Sequence, residues 1–405
     1  MKAGWETKAL GEVCHLKPPK SEARSRITNA ENVSFVPMED LGINQKFIVP
    51  AKTRPLADVA GSYTYFAEGD VLLAKITPCF ENGKLGIAKE LTNGIGFGSS
   101  EYIVFRPNAE LHNEWLYYFL ARQSFRDEGA QCMTGAVGHK RVAKEFIEAY
   151  PIPLPSLPEQ HRIVAILDKA FDGIAKAKAA AEANLQNARA VFESHLQEVF
   201  TRRGDGWVET TLGRATGGIF TGPFGSLLHK SDYVSNGIPL VNPAHITEIG
   251  IEPDLMKTVS VETAQRLKNY IMREGDIVIA RRGGMGRCAL VTAIEEGWLC
   301  GTGSFYIKPS IRCDTRYLVR FLRSDSCKAV LESIAGGTVM PNLSNTALSN
   351  LPIDLPTIKQ QASIVEGIDM LHEQTQHLES LYQRKITALE DLKKSLLHQA
   401  FSGAL

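Results

Sequence analysis

Two short stretches carry the residues best suited to binding a polyanion. ARRGGMGRC (280–288) leaves an apolar run through a Gly-rich turn with Arg281, Arg282 and Arg287 beside it. A guanidinium presents its N–H donors as a planar fork, which fits a phosphate or the O6/N7 edge of guanine. AKITPCFENGKLG (74–86) stands at the corresponding place in an earlier stretch and offers Lys75, Asn82 and Lys84. GAVGHKR (135–141) adds Lys140 and Arg141, and GGTVMPN (336–342) adds Asn342, each with glycines that let backbone approach a ligand closely. For any one of these clusters a solvated hairpin tip is the alternative. Their recurrence at matching places favours recognition.

Reaction chemistry finds little support. The sequence has no Walker phosphate loop, no HExxH, no GxSxG and no GxGxxG after a strand. NPAH (242–245) comes nearest to the Asn-Pro-Pro-Tyr signature of base-modifying methyltransferases, yet it lacks the second Pro and the aromatic that would stack on a flipped base. A polar turn after IPLV (238–241) is the simpler reading. The Pro-Asp of EPDLMK (252–257) has no acidic-x-Lys at nuclease spacing, and His139, His161, His229 and His245 are scattered without metal-ligand spacing. The chain is expected to recognise and to do no chemistry alone.

The elements that must position these clusters occur twice. LPSLPEQHRIVAILD (154–168) returns as LPTIKQQASIVEGID (355–369), and the same offset pairs Phe200 with Phe401. Trp5, Leu10 and Gly11 answer to Trp207, Leu212 and Gly213, and EGDVLLAK (68–75) answers to EGDIVIAR (274–281). Residues 1–155 and 206–355 alternate short apolar runs with turns: VLLAKI (71–76), EYIVFRP (101–107), DIVIA (276–280) and SFYIKP (304–309) read as strands. One short helix is expected in each copy, NEWLYYFLARQSF (113–125) and TRYLVRFLRSDSC (315–327). Each globular part is then α+β, mainly strand.

Each part ends in a Pro-punctuated exit, YPIPLPSLPEQ (150–160) and LPIDLPTIKQQ (351–361), where Pro keeps the backbone extended. Beyond it, residues 159–200 and 359–401 hold no Pro and one Gly each, which predicts two helices of about 60 Å at 1.5 Å per residue. The second shows a stripe at Ile368, Leu371, Thr375, Leu378, Tyr382, Leu389, Leu392 and Leu396, with Lys385 discordant. The first offers mostly smaller residues at Leu167, Ala170, Ile174, Ala177, Ala181, Asn184, Ala188 and Val191. Bulky against small suits an antiparallel pair holding the two domains at opposite ends. The alternative, each helix packed on its own domain, would leave half of each stripe overhanging.

Composition agrees with two domains plus helices in 405 residues. Lys and Arg number 45 and Asp and Glu 45, so a nucleic-acid surface must come from charge placement and not net charge. Seven cysteines without a CxxC pair signal neither a disulfide framework nor a zinc site; buried thiols in a reducing cytoplasm are expected. No apolar run approaches about 20 residues, and MKAGWETKALGEV has no signal-peptide core, so neither membrane spanning nor secretion is expected.

With these residues in view, the chain resembles the specificity subunits of type I restriction-modification enzymes. The resemblance rests on the paired LP-x-L/I-x-x-Q exits and on GDVLLAKITPCFENGKLG, GFGSSEYIVFRP and GHKRVAKEFIEAYPIPLPSLPEQHRIVAILD in the first half. TGPFGSLLHKSDYVSNGIPLV, GGTVMPNLSNTALSNLPIDLP and SLLHQAFSGAL carry it in the second. It implies two tandem target-recognition domains, mixed and mainly β, at 1–155 and 206–355, separated by two long antiparallel coiled-coil helices at 156–205 and 356–405. Each domain would contact half of a split, asymmetric double-stranded DNA target; Lys230 joins Lys75, Asn82, Lys84, Lys140, Arg141, Arg281, Arg282, Arg287 and Asn342 as candidate contacts. The resemblance further implies two modification subunits, which bring S-adenosylmethionine and methylate adenine, and two restriction subunits, which bring ATP and magnesium. An orphan tandem DNA-binding module, or a two-headed protein scaffold, is the alternative class; a self-sufficient methyltransferase fails on the missing motifs.

Overall fold

The computed structural model describes residues 4–136, 138–224, 227–336 and 342–405. The chain divides into two compact units, residues 1–182 with 383–405 and residues 183–382, so that the division falls inside both long helices. The central sheet of the first unit runs in the order Cys14–Leu16, Tyr102–Pro107, Val71–Ala74, Leu85–Ala88, Phe47–Ile48. That of the second runs Ile219–Thr221, Ser304–Ile307, Ile277–Ala280, Cys288–Leu290, the same order without the last strand.

The repeated EGD tripeptide starts the strand at the heart of each sheet. Gly69 and Gly275 take φ of +81° and +88°, a left-handed turn that a side chain would strain. The following Asp70 and Asp276 close it, accepting from the backbone N–H of Ala67 (2.8 Å) and Arg273 (2.9 Å). The strands that follow are apolar at every position because each sheet is covered on both faces. Val71 and Leu73 enter one core and Leu72 and Ala74 another; Ile277 and Ile279, and Val278 and Ala280, divide the same way.

The Pro-rich exits are strands that close each unit on its own beginning. Pro151–Leu154 pairs antiparallel with Glu6–Ala9, and Pro352–Leu355 with Val208–Thr211. Between the shared strands the units differ. The first carries a second sheet of Lys52–Pro55, Asn32–Val36, Ile95–Gly98 and Thr64–Ala67; in its place the described residues of the second show the parallel pair Leu240–Val241 with Leu299–Cys300 and the antiparallel pair Tyr233–Val234 with Thr258–Val259.

Where one short helix is expected in each copy there are two. Asn113–Leu120 is followed by Gln123–Gln131, and Thr315–Arg323 by Asp325–Ile334. The break is an extended residue, Arg122 (φ −66°, ψ 141°) or Ser324 (φ −65°, ψ 147°), which lets the apolar run turn a corner over the sheet. Five of the seven cysteines are buried; Cys132 is exposed and Cys79 half-buried, against the expectation for all seven.

The long helices span Leu157–Thr201 and Ile358–Ser402 and run antiparallel. In the first unit Lys178 pairs with Glu390 at 2.5 Å; in the second Arg189 pairs with Glu379 at 3.1 Å. Eleven residues forward on one helix are eleven back on the other, so both pairs keep one register. The buried line is not quite the expected one. Asn184, Val191, Leu378 and Leu392 are exposed, while their next neighbours Leu185, Phe192, Glu379 and Lys393 turn inward. A helix of 3.6 residues per turn drifts by about 20° per heptad from a strict 3.5 repeat, and over several heptads the line passes to the next residue. That drift also removes the discordance at Lys385, because Ile386 is the residue that is buried.

The Gln of each exit motif pins its helix to its domain. Gln160 and Gln361 are both fully buried. Gln160 accepts from the His112 N–H (2.8 Å) and donates to the carbonyls of Glu110 (2.8 Å) and Pro155 (2.9 Å). Gln361 repeats this with the Asp314 N–H (2.7 Å) and the carbonyls of Arg312 (3.0 Å) and Pro356 (2.8 Å). Gln160→Leu keeps the volume and leaves three backbone groups without their partner, one hydrogen bond buried and two part-buried, so it is expected to cost about 2–4 kcal/mol, read from the denaturant midpoint.

Candidate nucleic-acid interface

Each unit brings together two loops far apart in sequence. In the first, residues 75–84 connect the strands Val71–Ala74 and Leu85–Ala88, and Thr134 and residues 140–142 fold onto this connection. Thr134 and Arg141 form a bridge, Arg141 bridges on to Ile76, and the Val142 N–H donates to the Lys75 carbonyl (2.9 Å). In the second, residues 281–287 connect Ile277–Ala280 and Cys288–Leu290; Gly336 and Asn342 form a bridge, Asn342 bridges on to Arg282, and the Leu343 N–H donates to the Arg281 carbonyl (3.0 Å). Lys75 thus corresponds to Arg281, Ile76 to Arg282 and Arg141 to Asn342. The rest of GGTVMPN, residues 337–341, lies outside the described residues.

The candidate side chains divide into held and free. Lys84 donates to the Met38 carbonyl (2.7 Å). Arg281 donates from Nε to the Leu343 carbonyl (2.9 Å), with its guanidinium 5.6 Å from the ring centroids of both Phe224 and Phe305. Arg287 folds back on the Gly283 carbonyl, where Gly283, Gly284 and Gly286 all take positive φ. These three shape the loops. Asn82, Lys140, Arg282 and Asn342 are exposed, and their side chains have no partner among the described residues. Lys230 is exposed on the turn Lys230–Asp232, and no contact among the described residues ties it to the loop pair.

A carboxylate that sequence reasoning passed over organises the first loop pair. Glu101 accepts from Arg141 through both oxygens (Nε 2.9 Å, Nη2 2.7 Å) and lies 4.0 Å from the Lys75 ammonium. The Arg141 hydrogen bonds, with the charges of Lys75 and Arg141, hold its carboxyl below the usual range against partial burial. Its counterpart is Gly303: Lys75 donates its N–H to the Glu101 carbonyl, and Arg281 donates its N–H to that of Gly303. A Cβ at Gly303 would stand 3.1 Å from Nε of Arg282. One unit therefore presents a guanidinium fixed by a carboxylate, and the other a guanidinium free to turn. Beside Glu101, Ser99 and Ser100 border a cleft of about 530 Å3 whose wall includes Arg54, stacked 4.1 Å from the Phe35 ring, and Tyr63.

NPAH is a turn. Pro243–His245 follows the strand Leu240–Val241, and the Asn242 N–H donates to Nδ1 of His245 (3.2 Å). Among the described residues no group of three His, Cys, Asp or Glu side chains is placed to hold a metal, and no helix is long and apolar enough to cross a membrane.

The model of the type I restriction modification DNA specificity domain matches residues 2–184 and 222–388, that is, both units. The chain belongs to this family. The type I restriction enzyme EcoEI specificity subunit of Escherichia coli is 38% identical over 168 residues, which cover 41% of this chain and 27% of that protein. The matched stretch thus spans about a quarter of the length of that relative. Two solved structures share the fold along the whole chain. The HsdS subunit from Thermoanaerobacter tengcongensis gives a TM-score of 0.70 at 20% identity, covering 100% of this chain and 98% of that one. A chain from a structure addressing complex assembly and conformational transition of the type I R-M system gives 0.77 at 20% identity, covering 100% and 99%.

Proposed function

We propose that this chain is a DNA-recognition subunit of a type I restriction-modification complex. Its reading domains, at 1–155 and 206–355, each take one half of a split, asymmetric duplex target, and the helices at 156–205 and 356–405 set the distance between the halves. The chain contributes no catalytic group. Two modification subunits bind it, supply S-adenosylmethionine and methylate an adenine in each half-site; two restriction subunits, with ATP and magnesium, translocate and cut, and the complex works in the cytoplasm. The observation that supports this reading best is the loop pair built alike in both units, where Lys140 with Asn82 in one, and Arg282 with Asn342 in the other, offer unpartnered donors.

Purified alone, the chain is expected to leave DNA unmethylated in the presence of S-adenosylmethionine, and to give adenine methylation at one bipartite motif once the modification subunit is added. Methyl transfer by the lone chain overturns the proposal. Within the second unit, Arg282→Ala is expected to cost about 1–3 kcal/mol of affinity and relax preference at one base pair if the guanidinium reads guanine. Equal weakening on all sequences, with a shallower salt dependence, would make Arg282 a phosphate contact.

A further inference from the structure

In the first unit, the helix Gln123–Gln131 and the two long helices enclose a cavity of about 530 Å3. Six cationic or titratable side chains line it, Arg122, Arg126, Lys178, Lys393, Lys394 and His398, against the single carboxylate of Glu390, which is taken by Lys178 at 2.5 Å. Among its Arg and Lys side chains, Arg122, Arg126 and Lys393 have no carboxylate partner among the described residues. Arg126 donates to the Ala121 carbonyl (2.7 Å) and the Gln123 amide oxygen (2.6 Å), and its Nε is buried without an acceptor. Lys393 reaches the Asn44 amide oxygen (2.9 Å) and stands over the Phe171 ring. Arg122 lies 3.8 Å from the Phe119 ring centroid and donates to the Phe119 carbonyl (3.0 Å). Burial draws the pKa of all three down, as it does for cations lacking a counter-charge.

The second unit shows what a structural version of this corner needs. There Ser324 stands in the place of Arg122 and caps its helix, accepting from the Cys327 N–H (3.3 Å), while Asp325 neutralises Lys328 at 3.2 Å. In the first unit the residue before the helix supplies no side-chain cap, and the first turn has no acidic residue. The uncapped first turn, at Gln123 and Ser124, and the cations without a carboxylate line one cavity, and an anion would satisfy both.

We infer that this cavity is a binding site for a phosphoryl group carried by an organic molecule. A phosphoryl group brings up to two charges and several acceptor oxygens, enough for Arg126, Lys393 and the helix amides together. The cavity is larger than a lone phosphate, and Phe171, Ile174 and Leu397 give it an apolar wall for the rest of the ligand. The group comes either from a soluble nucleotide or from a DNA backbone. The inference is independent of the DNA-reading loops, whose residues do not line the cavity.

Calorimetric titration of the full-length chain with ATP, tripolyphosphate and tetraglutamate tests it. ATP and tripolyphosphate should bind saturably, tetraglutamate at least tenfold more weakly, and R126Q/K393Q should lose tenfold or more for ATP with an unchanged unfolding midpoint. Should that variant fail to fold, Lys393→Met, which keeps the stem against Phe171, takes its place with the same expected loss. A short duplex lacking the target motif that displaces ATP assigns the group to DNA; failure to displace it assigns a soluble ligand. No saturable binding of either phosphoryl probe, equal ATP affinity in the variant, or tetraglutamate binding as tightly as ATP overturns the inference.

Discussion

Exchanging residues 206–355 for the same stretch of a family member with another target is expected to change one half of the methylated motif completely and leave the other untouched. The physical ground is the independence of the two cores: the second unit closes on itself through the strand pair Val208–Thr211 with Pro352–Leu355 and buries Leu212, Ile277, Phe305 and Leu331 in a cluster of its own. Cutting after Leu355 keeps that strand pair within the transplanted piece. Distant sites with no shared partners act nearly additively, so specificity in the first half-site should survive. The readout is the methylated motif in a host that supplies the modification subunit. A change in both halves would mean that the units do not read separately.

What was legible in the sequence follows local rules. Repeated Pro gave the extended exits, uninterrupted helix formers gave the long helices, and the short apolar runs VLLAKI and DIVIA gave the central strands, since each depends on neighbours within a few residues. The meeting of Lys75 and Ile76 with Arg141 and Val142, and of Arg281 and Arg282 with Asn342 and Leu343, depends on strand order, which no local pattern encodes; matching offsets were its only trace. Glu101 escaped because a search for DNA contacts looks for cations, and because the repeat breaks at that position, with Gly303 opposite. Which cations are free was equally hidden. Lys84, Arg281 and Arg287 look like the others in sequence, but each is spent on a nearby carbonyl. Gln160 and Gln361 could have been recognised: an amide recurring inside two otherwise apolar motifs is a signal for a buried polar anchor.

Lengthening the helix pair by four residues on each side is expected to move the preferred target to a wider gap while both half-site sequences stay the same. The insertions belong after Ala180 and after Ala388, both exposed and opposite each other in the register that sets Lys178 against Glu390. A single insertion would force a bulge in one helix, whereas a matched pair keeps the stripes in contact. Four residues add about 6 Å along the axis and about 40° of rotation beyond a full turn. One base pair of duplex advances about 3.4 Å, and at about 10 base pairs per turn it rotates about 35°. Translation alone therefore calls for about two extra base pairs and rotation for about one, so the new gap should be longer by one or two and blurred between them. A variant that assembles with the modification subunit, methylates DNA and keeps the original gap would show that something other than the helices fixes the separation.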